Sequence, residues 1–380
     1  MTNKFKHEFD IIDLVKRFFG DARDYVVGLL ESCRSGIEKL LTKLFKSHVK
    51  SDETAFSDLN KRNRLKKALS SISKLVNNTY KDVVNTVNKA REELFIGKHM
   101  MMSYLHEAAH KAKQPFRKAR TFFPGKSKVK EMLKHPVEYL RVPQLFESQR
   151  NETVRRLNIE IPESLRKGEG FFNLIDRVKG VFKRMLPKAR TTTENELKGA
   201  EGIADEYFNV KYGEQYPKDG TLRIVWLAVM DDVTRHAHRT LDGQIRDDDG
   251  YFRYHGMTAR YPHDWPELKM NINCRCHVLR MVNERLPIVK EGHDAMDVKY
   301  QRMLSDRIDK YIKEGQTYLA AFRTAEDELP PPPKMVDGEE FRFERYRDWV
   351  EDIDDDIIWR GDTPFAQAAE AWRKFREGAV

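Results

Sequence analysis

Between Ser51 and Ile96 the chain holds neither glycine nor proline, the two residues that most readily break a helix. Leu65, Leu69, Ile72, Leu75, Tyr80, Val84 and Val87 recur along it at helical spacing. That pattern predicts a long helix running, with breaks, from near Asp52 to about Lys113. Such a helix cannot bury its apolar stripe alone and requires helical partners. The preceding residues supply them. Phe9, Ile12, Val15 and Phe19 share a face over 8–19, with Gly20 as a stop. Asp21 is then placed to cap a further helix whose stripe is Leu29, Cys33, Ile37, Leu41 and Leu44. Cys33 on that stripe reads as a small buried apolar residue.

Near residue 125 the texture changes, with Pro124, Gly125, Pro136 and Pro143 marking a boundary. Residues 145–186 read as helix interrupted at IEIPESLRKGEG, and a second helix follows Pro187. Leu222 to Val229 is short and rich in β-branched and aromatic residues, as a strand requires, and NINCRCHVLRMV reads as a second buried strand. Between them lies a polar loop with a hairpin around YFRYHG. Beyond Pro287 the pattern is helical over 294–328, with a polyproline spacer at 329–334, an acidic cluster at 351–356 and a final helix near 363–377. The expected class is α+β, predominantly α. It comprises a basic helical region at 1–140, a small central domain with a short sheet or hairpin at 141–290, and an acidic helical tail at 291–380.

The 380 residues suffice for two or three domains. No apolar run approaches the roughly 18–20 residues of a membrane-spanning helix, and the opening MTNKFKHEFD lacks a signal-peptide centre. Three cysteines make no disulfide framework, which points to synthesis in a reducing compartment. Charge is unevenly spread. Residues 1–140 carry 29 Lys/Arg against 16 Asp/Glu, whereas 291–380 carry 14 against 22. Two basic runs stand out: Lys61, Arg62, Arg64, Lys66 and Lys67, then Lys111, Lys113, Arg117, Lys118 and Arg120. Either run is able to neutralise phosphates without reading sequence, or to serve as a solvated helix face or partner surface.

Polar chemistry concentrates between Trp226 and Cys276. Cys274 and Cys276, at i and i+2 of a strand, project both thiols to one face. Together with His236, His238, His255, His263 or His277 they offer ligands for zinc. A thiol nucleophile and a metal-dependent nuclease or hydrolase built on Asp231, Asp232, His238 and Asp264 are the enzymatic alternatives. The non-catalytic reading is a clamp. The Arg275 fork would hold two carboxylates from Asp231, Asp232, Asp242 or Asp264, Asn273 would pair with loop backbone, and His238 would bridge a carboxylate to a carbonyl.

Trp226, Asp231, Thr234-Arg235, His238, Leu241-Asp242-Gly243, Tyr261-Pro262, Asp264 and Asn273-Cys274-Arg275-Cys276 resemble, in order and spacing, the motif of the Mu F-like phage head morphogenesis family. Ala189-Arg190-Thr191 with Glu194 is similar to that family's A-R-T-E helix, with two additional residues before the glutamate. The resemblance covers roughly 145–282. It implies a minor capsid protein of a tailed double-stranded DNA phage or prophage, made in the host cytoplasm and carried in the virion near the portal vertex. Its implied partners are the portal protein, other capsid proteins and packaged DNA. Its implied role is head assembly, DNA packaging or DNA ejection, with no enzymatic activity and no cofactor. Some relatives carry toxin or enzyme domains after the motif, whereas the tail here shows no catalytic constellation. On this reading Arg190, Trp226, Asp231, His238, Asp242, Gly243, Pro262, Asp264, Asn273, Cys274, Arg275 and Cys276 hold the domain together. If any metal binds, its ligands are Cys274, Cys276 and His238. A scaffolding or DNA-binding module driven by the basic front is the remaining alternative.

Overall fold

The computed structural model describes residues 8–46, 59–111, 124–134, 140–215, 222–229, 233–282, 298–316, 321, 324–325 and 328–330. Its elements are, in order, α1 (Glu8–Lys46), α2 (Leu59–Lys111), α3 (Lys126–Met132), α4 (Val142–Arg166), α5 (Phe171–Gln215), β1 (Leu222–Leu227), α6 (His236–Leu241), β2 (Phe252–Tyr254), β3 (Met257–Ala259), α7 (Leu268–Asn271), β4 (His277–Val282) and α8 (Val298–Lys313). The class is α+β and predominantly α, with two small antiparallel sheets, β1–β4 and β2–β3.

Several expected breaks are absent. Gly20 does not stop α1, which runs on because Phe18, Phe19, Ala22 and Val26 continue one buried stripe across it. Pro187 likewise lies inside α5, and Pro162 sits within the last turns of α4. Buried Ile161, Leu165, Met185 and Ala189 hold each helix together around the proline, so packing overrides the lost backbone donor. α4 does end where IEIPESLRKGEG predicts, at Gly168, whose φ of 65° suits glycine. Strand β1 is two residues shorter than expected. β4 begins at His277, so Cys274 and Cys276 belong to the loop that feeds it and not to the strand. The hairpin at YFRYHG is β2–β3, turning at His255 and Gly256 with φ of 46° and 79°, the signs a tight two-residue turn demands. The helix expected over 294–328 is α8 over its middle. The spacer beyond Pro330, the acidic cluster and the final helix lie outside the described residues.

The chain divides into two compact units, one drawn from residues 1–18, 92–134 and 198–380, the other from 19–91 and 135–197. The second unit is a helical assembly around one apolar core. Leu30, Ile37, Leu41, Val76, Val83, Phe146, Ile161, Val178 and Phe182 lie within it, each worth about 1.5–3 kcal/mol by burial. Gly36 has the role of clearance: a Cβ there would stand 2.8 Å from Leu75 Cδ2.

The first unit is built around β1 and β4, which pair antiparallel with Trp226 opposite Val278 and Val225 opposite Leu279. Alternation sends the two sides of β1 to different cores. Ile224 and Trp226 join Leu241, Phe252, Trp265, Cys274, Cys276 and Val278. Val225 and Leu227 join Ile12, Leu279, Tyr300, Leu304 and Ile308. With both sides covered, the strand pair sits inside the unit, and the Trp226 core is where the polar motif gathers. No helix among the described residues is long and apolar enough to cross a membrane.

Candidate functional site

Trp226 is fully buried and meets Phe252, Trp265 and His238 at ring-centroid distances of 5.1, 5.7 and 6.3 Å. Around it the motif residues do separate jobs. The Asp242-Gly243 turn lays residues 243–246 along β1. Gly243 (φ 76°) donates its N–H to the Trp226 carbonyl at 2.9 Å, and the Trp226 N–H reaches the Gln244 carbonyl at 2.9 Å. Asp242 Oδ1 accepts from the Ala228 N–H at 2.7 Å, capping the end of β1. Burial raises the Asp242 pKa against the pull of that amide.

Asp264 is held by Arg260, with Nε and Nη2 forming a two-pronged bridge at 2.9 and 3.0 Å. That tightens the turn through buried Tyr261 and Pro262. Thr234 donates to the Val229 carbonyl, and Arg235 Nη2 reaches the Ile272 carbonyl at 2.5 Å. Arg275 Nη2 donates to Thr234 Oγ1 at 3.1 Å. The expected Arg275 clamp on Asp242 and Asp264 is therefore corrected. Each of those carboxylates is satisfied nearer home, Asp242 by a backbone amide and Asp264 by an arginine four residues away. Asp231 and Asp232 lie outside the described residues. Asn273 adopts φ 56°, a left-handed conformation that asparagine tolerates, and this swings the chain into the two cysteines.

Those cysteines meet His238. The ligand atoms of His238, Cys274 and Cys276 lie within 4.8 Å of one another, and all three residues are buried. Cys276 Sγ is 3.3 Å from His238 Nδ1. His263 flanks the same thiols and donates Nε2–H to the Cys274 carbonyl at 3.0 Å. Burial opposes ionisation of Cys274, but the neighbouring Cys276, His238 and His263 outweigh it and hold that thiol well below its ordinary range. Cys276 is pushed the opposite way by its bond to Cys274 and by burial. The other histidines of the stretch go elsewhere: His236 and His255 are exposed, and His277 joins a second cluster. Among the described residues no carboxylate joins the Cys/His group; of the hydrolase set, Asp264 is held by Arg260, and Asp231 and Asp232 lie outside the described residues.

The second cluster has no counterpart in the sequence reading. Lys98 Nζ contacts Glu201 and Asp205 at 2.8 and 2.7 Å. Arg280 contacts Asp205, Asn209 and Glu8 at 2.7, 2.6 and 3.3 Å and stacks over Phe208. Lys198 bonds Glu201 at 3.1 Å and His277 Nε2 at 3.3 Å, while His277 Nδ1 donates to Glu201 at 3.0 Å. His106 Nε2 donates to Glu8 at 3.2 Å. Three carboxylates thus face three cations. Burial first, then Lys198, pushes the His277 pKa down to about 4, which matches an imidazole that accepts from Lys198. The signal lay in charges on apolar helix stripes: Lys98 and His106 among Leu94, Met102 and Leu105, and Glu201 and Asp205 in line with Phe208.

The remaining motif residue, Arg190, is exposed on α5 in the other unit. Arg64, Lys66 and Lys67 are exposed on α2. The side chains of Lys61, Arg62 and Lys111, and residues Lys113, Arg117, Lys118 and Arg120, lie outside the described residues. Buried Asn271, which the sequence reading passed over, brackets the Trp265 backbone, donating to its carbonyl at 2.8 Å and accepting from its N–H at 3.1 Å.

No family model and no solved structure matches the chain. It is similar to minor head protein GP7 of Bacillus phage SPP1, at 27% identity over 280 residues, 73% of this chain and 85% of that protein. It is also similar to the NAD(+)--arginine ADP-ribosyltransferase EFV of Enterococcus faecalis, at 24% identity over 190 residues, 47% of this chain and 37% of that protein. The likeness to a phage minor head protein thus runs along most of the chain.

Proposed function

We propose that this chain, a relative of the phage minor head proteins, is a structural component of a phage head that sits at the portal vertex and assists assembly and DNA packaging or ejection. The observation that carries the reading is the extent of the likeness to GP7, which takes in 85% of that protein. The site is consistent with it: Asp242, Asp264, Arg235 and Asn271 are spent on backbone and turn contacts that hold a fold. Residues 141–290 are the head-type domain on this reading. The exposed Arg64, Lys66 and Lys67 are a surface for DNA phosphates or a capsid partner. Co-expression with the portal protein of its own phage tests the placement. The expected result is a portal ring that carries the chain through size exclusion and shows extra density by cryo-EM. A ring that emerges bare counts against the portal location.

The likeness to the ADP-ribosyltransferase is shorter and covers 37% of that protein. The longer likeness to GP7 favours a structural role without transferase activity. Incubation with NAD and an arginine-rich acceptor is expected to leave the NAD intact, and transfer of ADP-ribose would refute this.

A further inference from the structure

We propose that Cys274, Cys276 and His238, completed by His263, bind a zinc-class divalent cation that staples α6 and the 261–265 turn to the loop entering β4. Zinc bonds of about 2.0–2.3 Å set tetrahedral ligands about 3.3–3.8 Å apart. The three ligand atoms already lie within 4.8 Å of one another, and Cys276 Sγ and His238 Nδ1 stand at 3.3 Å. For these three ligands, binding needs a contraction of about 1 Å. The donor set of two thiolates and two imidazoles suits zinc and excludes the hard cations that prefer oxygen.

Two ring nitrogens support the assignment. His263 gives its Nε2–H to the Cys274 carbonyl, which leaves Nδ1 as the lone-pair atom, buried and with no hydrogen-bond partner. A ring that donates one N–H to a backbone carbonyl while the other nitrogen faces a metal is the usual arrangement of a ligating histidine. His238 is 2% exposed and its Nε2 is also unpartnered, so hydrogen bonding alone does not account for either ring. Both cysteines are free thiols. Burial of all three core ligands leaves no open coordination face, and no carboxylate base joins them among the described residues. The site is structural, not hydrolytic.

Cobalt(II) titration of the full chain, stripped of metal under reducing conditions, tests this. One equivalent is expected to bind with a thiolate-to-cobalt charge-transfer band and the intense d–d bands of a tetrahedral centre, and zinc should displace it. Cys274→Ser and Cys276→Ser should each weaken the charge-transfer band and lower zinc affinity by about 100-fold or more. His263→Ala should lower the affinity but keep the charge-transfer band, while Cys33→Ser should change neither. The unmodified chain decides the matter even if a variant fails to fold. If it is folded by circular dichroism yet binds no cobalt, or shows only weak octahedral bands that Cys274→Ser leaves unaltered, the proposal is wrong.

Discussion

The first unit contains two buried polar clusters that balance charge in different ways. In the ionic cluster Glu8, Glu201 and Asp205 face Lys98, Lys198 and Arg280, and two neutral histidines fill in between. Every carboxylate there has a cation, so the cluster is complete without any ligand. The thiol cluster is not. Its two thiols and two imidazoles have no carboxylate among the described residues, and His238 Nε2 and His263 Nδ1 are without a hydrogen-bond partner. The lesson is that burial of polar groups has two solutions, internal neutralisation and recruitment of an ion. Arg280 and Cys276, four residues apart along the same segment, belong to opposite kinds.

The comparison breaks most sharply at Arg280, which is 1% exposed. Arg280→Ala strands Glu8 as a buried charge and leaves Asp205 with Lys98 alone, and it is expected to destabilise the unit by about 3–5 kcal/mol, read as a fall in urea midpoint. Gly202→Ala is next. A Cβ there would stand 2.2 Å from Tyr261 Cδ2 and 3.0 Å from the Pro262 carbonyl, pressing α5 against the turn that carries His263. A loss of about 1–3 kcal/mol is expected, with weaker metal uptake if the thiol cluster depends on that turn. Asp242→Ala removes the acceptor for the Ala228 N–H and should cost about 1 kcal/mol by the same measurement.

The smallest effect is a pH dependence. Burial first lowers the His106 pKa, with Arg280 adding to it and Glu8 opposing, while Phe208 and Tyr212 pack on the ring. The folded state therefore takes up the His106 proton at lower pH than the unfolded one. Stability from this group is intact above about pH 6.5 and declines as pH falls below it. His106→Gln should flatten that part of the stability profile. An unchanged slope between pH 7 and 5 would show that the ring titrates normally.

The two clusters also differ in how far the sequence reveals them. His238, Cys274 and Cys276 lie within 38 residues of one another, inside a stretch whose composition alone marks it. The ionic cluster joins Glu8 to Arg280 across 272 residues, and nothing local in either element names its partner. Helix periodicity revealed α1, α2 and the buried faces of α4 and α5. It misplaced ends at Gly20 and Pro187 because tertiary packing outweighs a local breaker. The expected reach of Arg275 to Asp242 and Asp264 is absent for a related reason. A carboxylate is satisfied by the donor its own turn delivers, as Arg260 is for Asp264, before a more distant fork can reach it.

The central claim is that the chain is a built-in part of a phage head. Heads purified from the phage that encodes it, washed free of lysate proteins and analysed by quantitative mass spectrometry, test it most directly. The account predicts that the chain co-sediments with the heads in a few copies each. Heads that assemble normally and contain none of it, with the chain left free in the lysate, would contradict it.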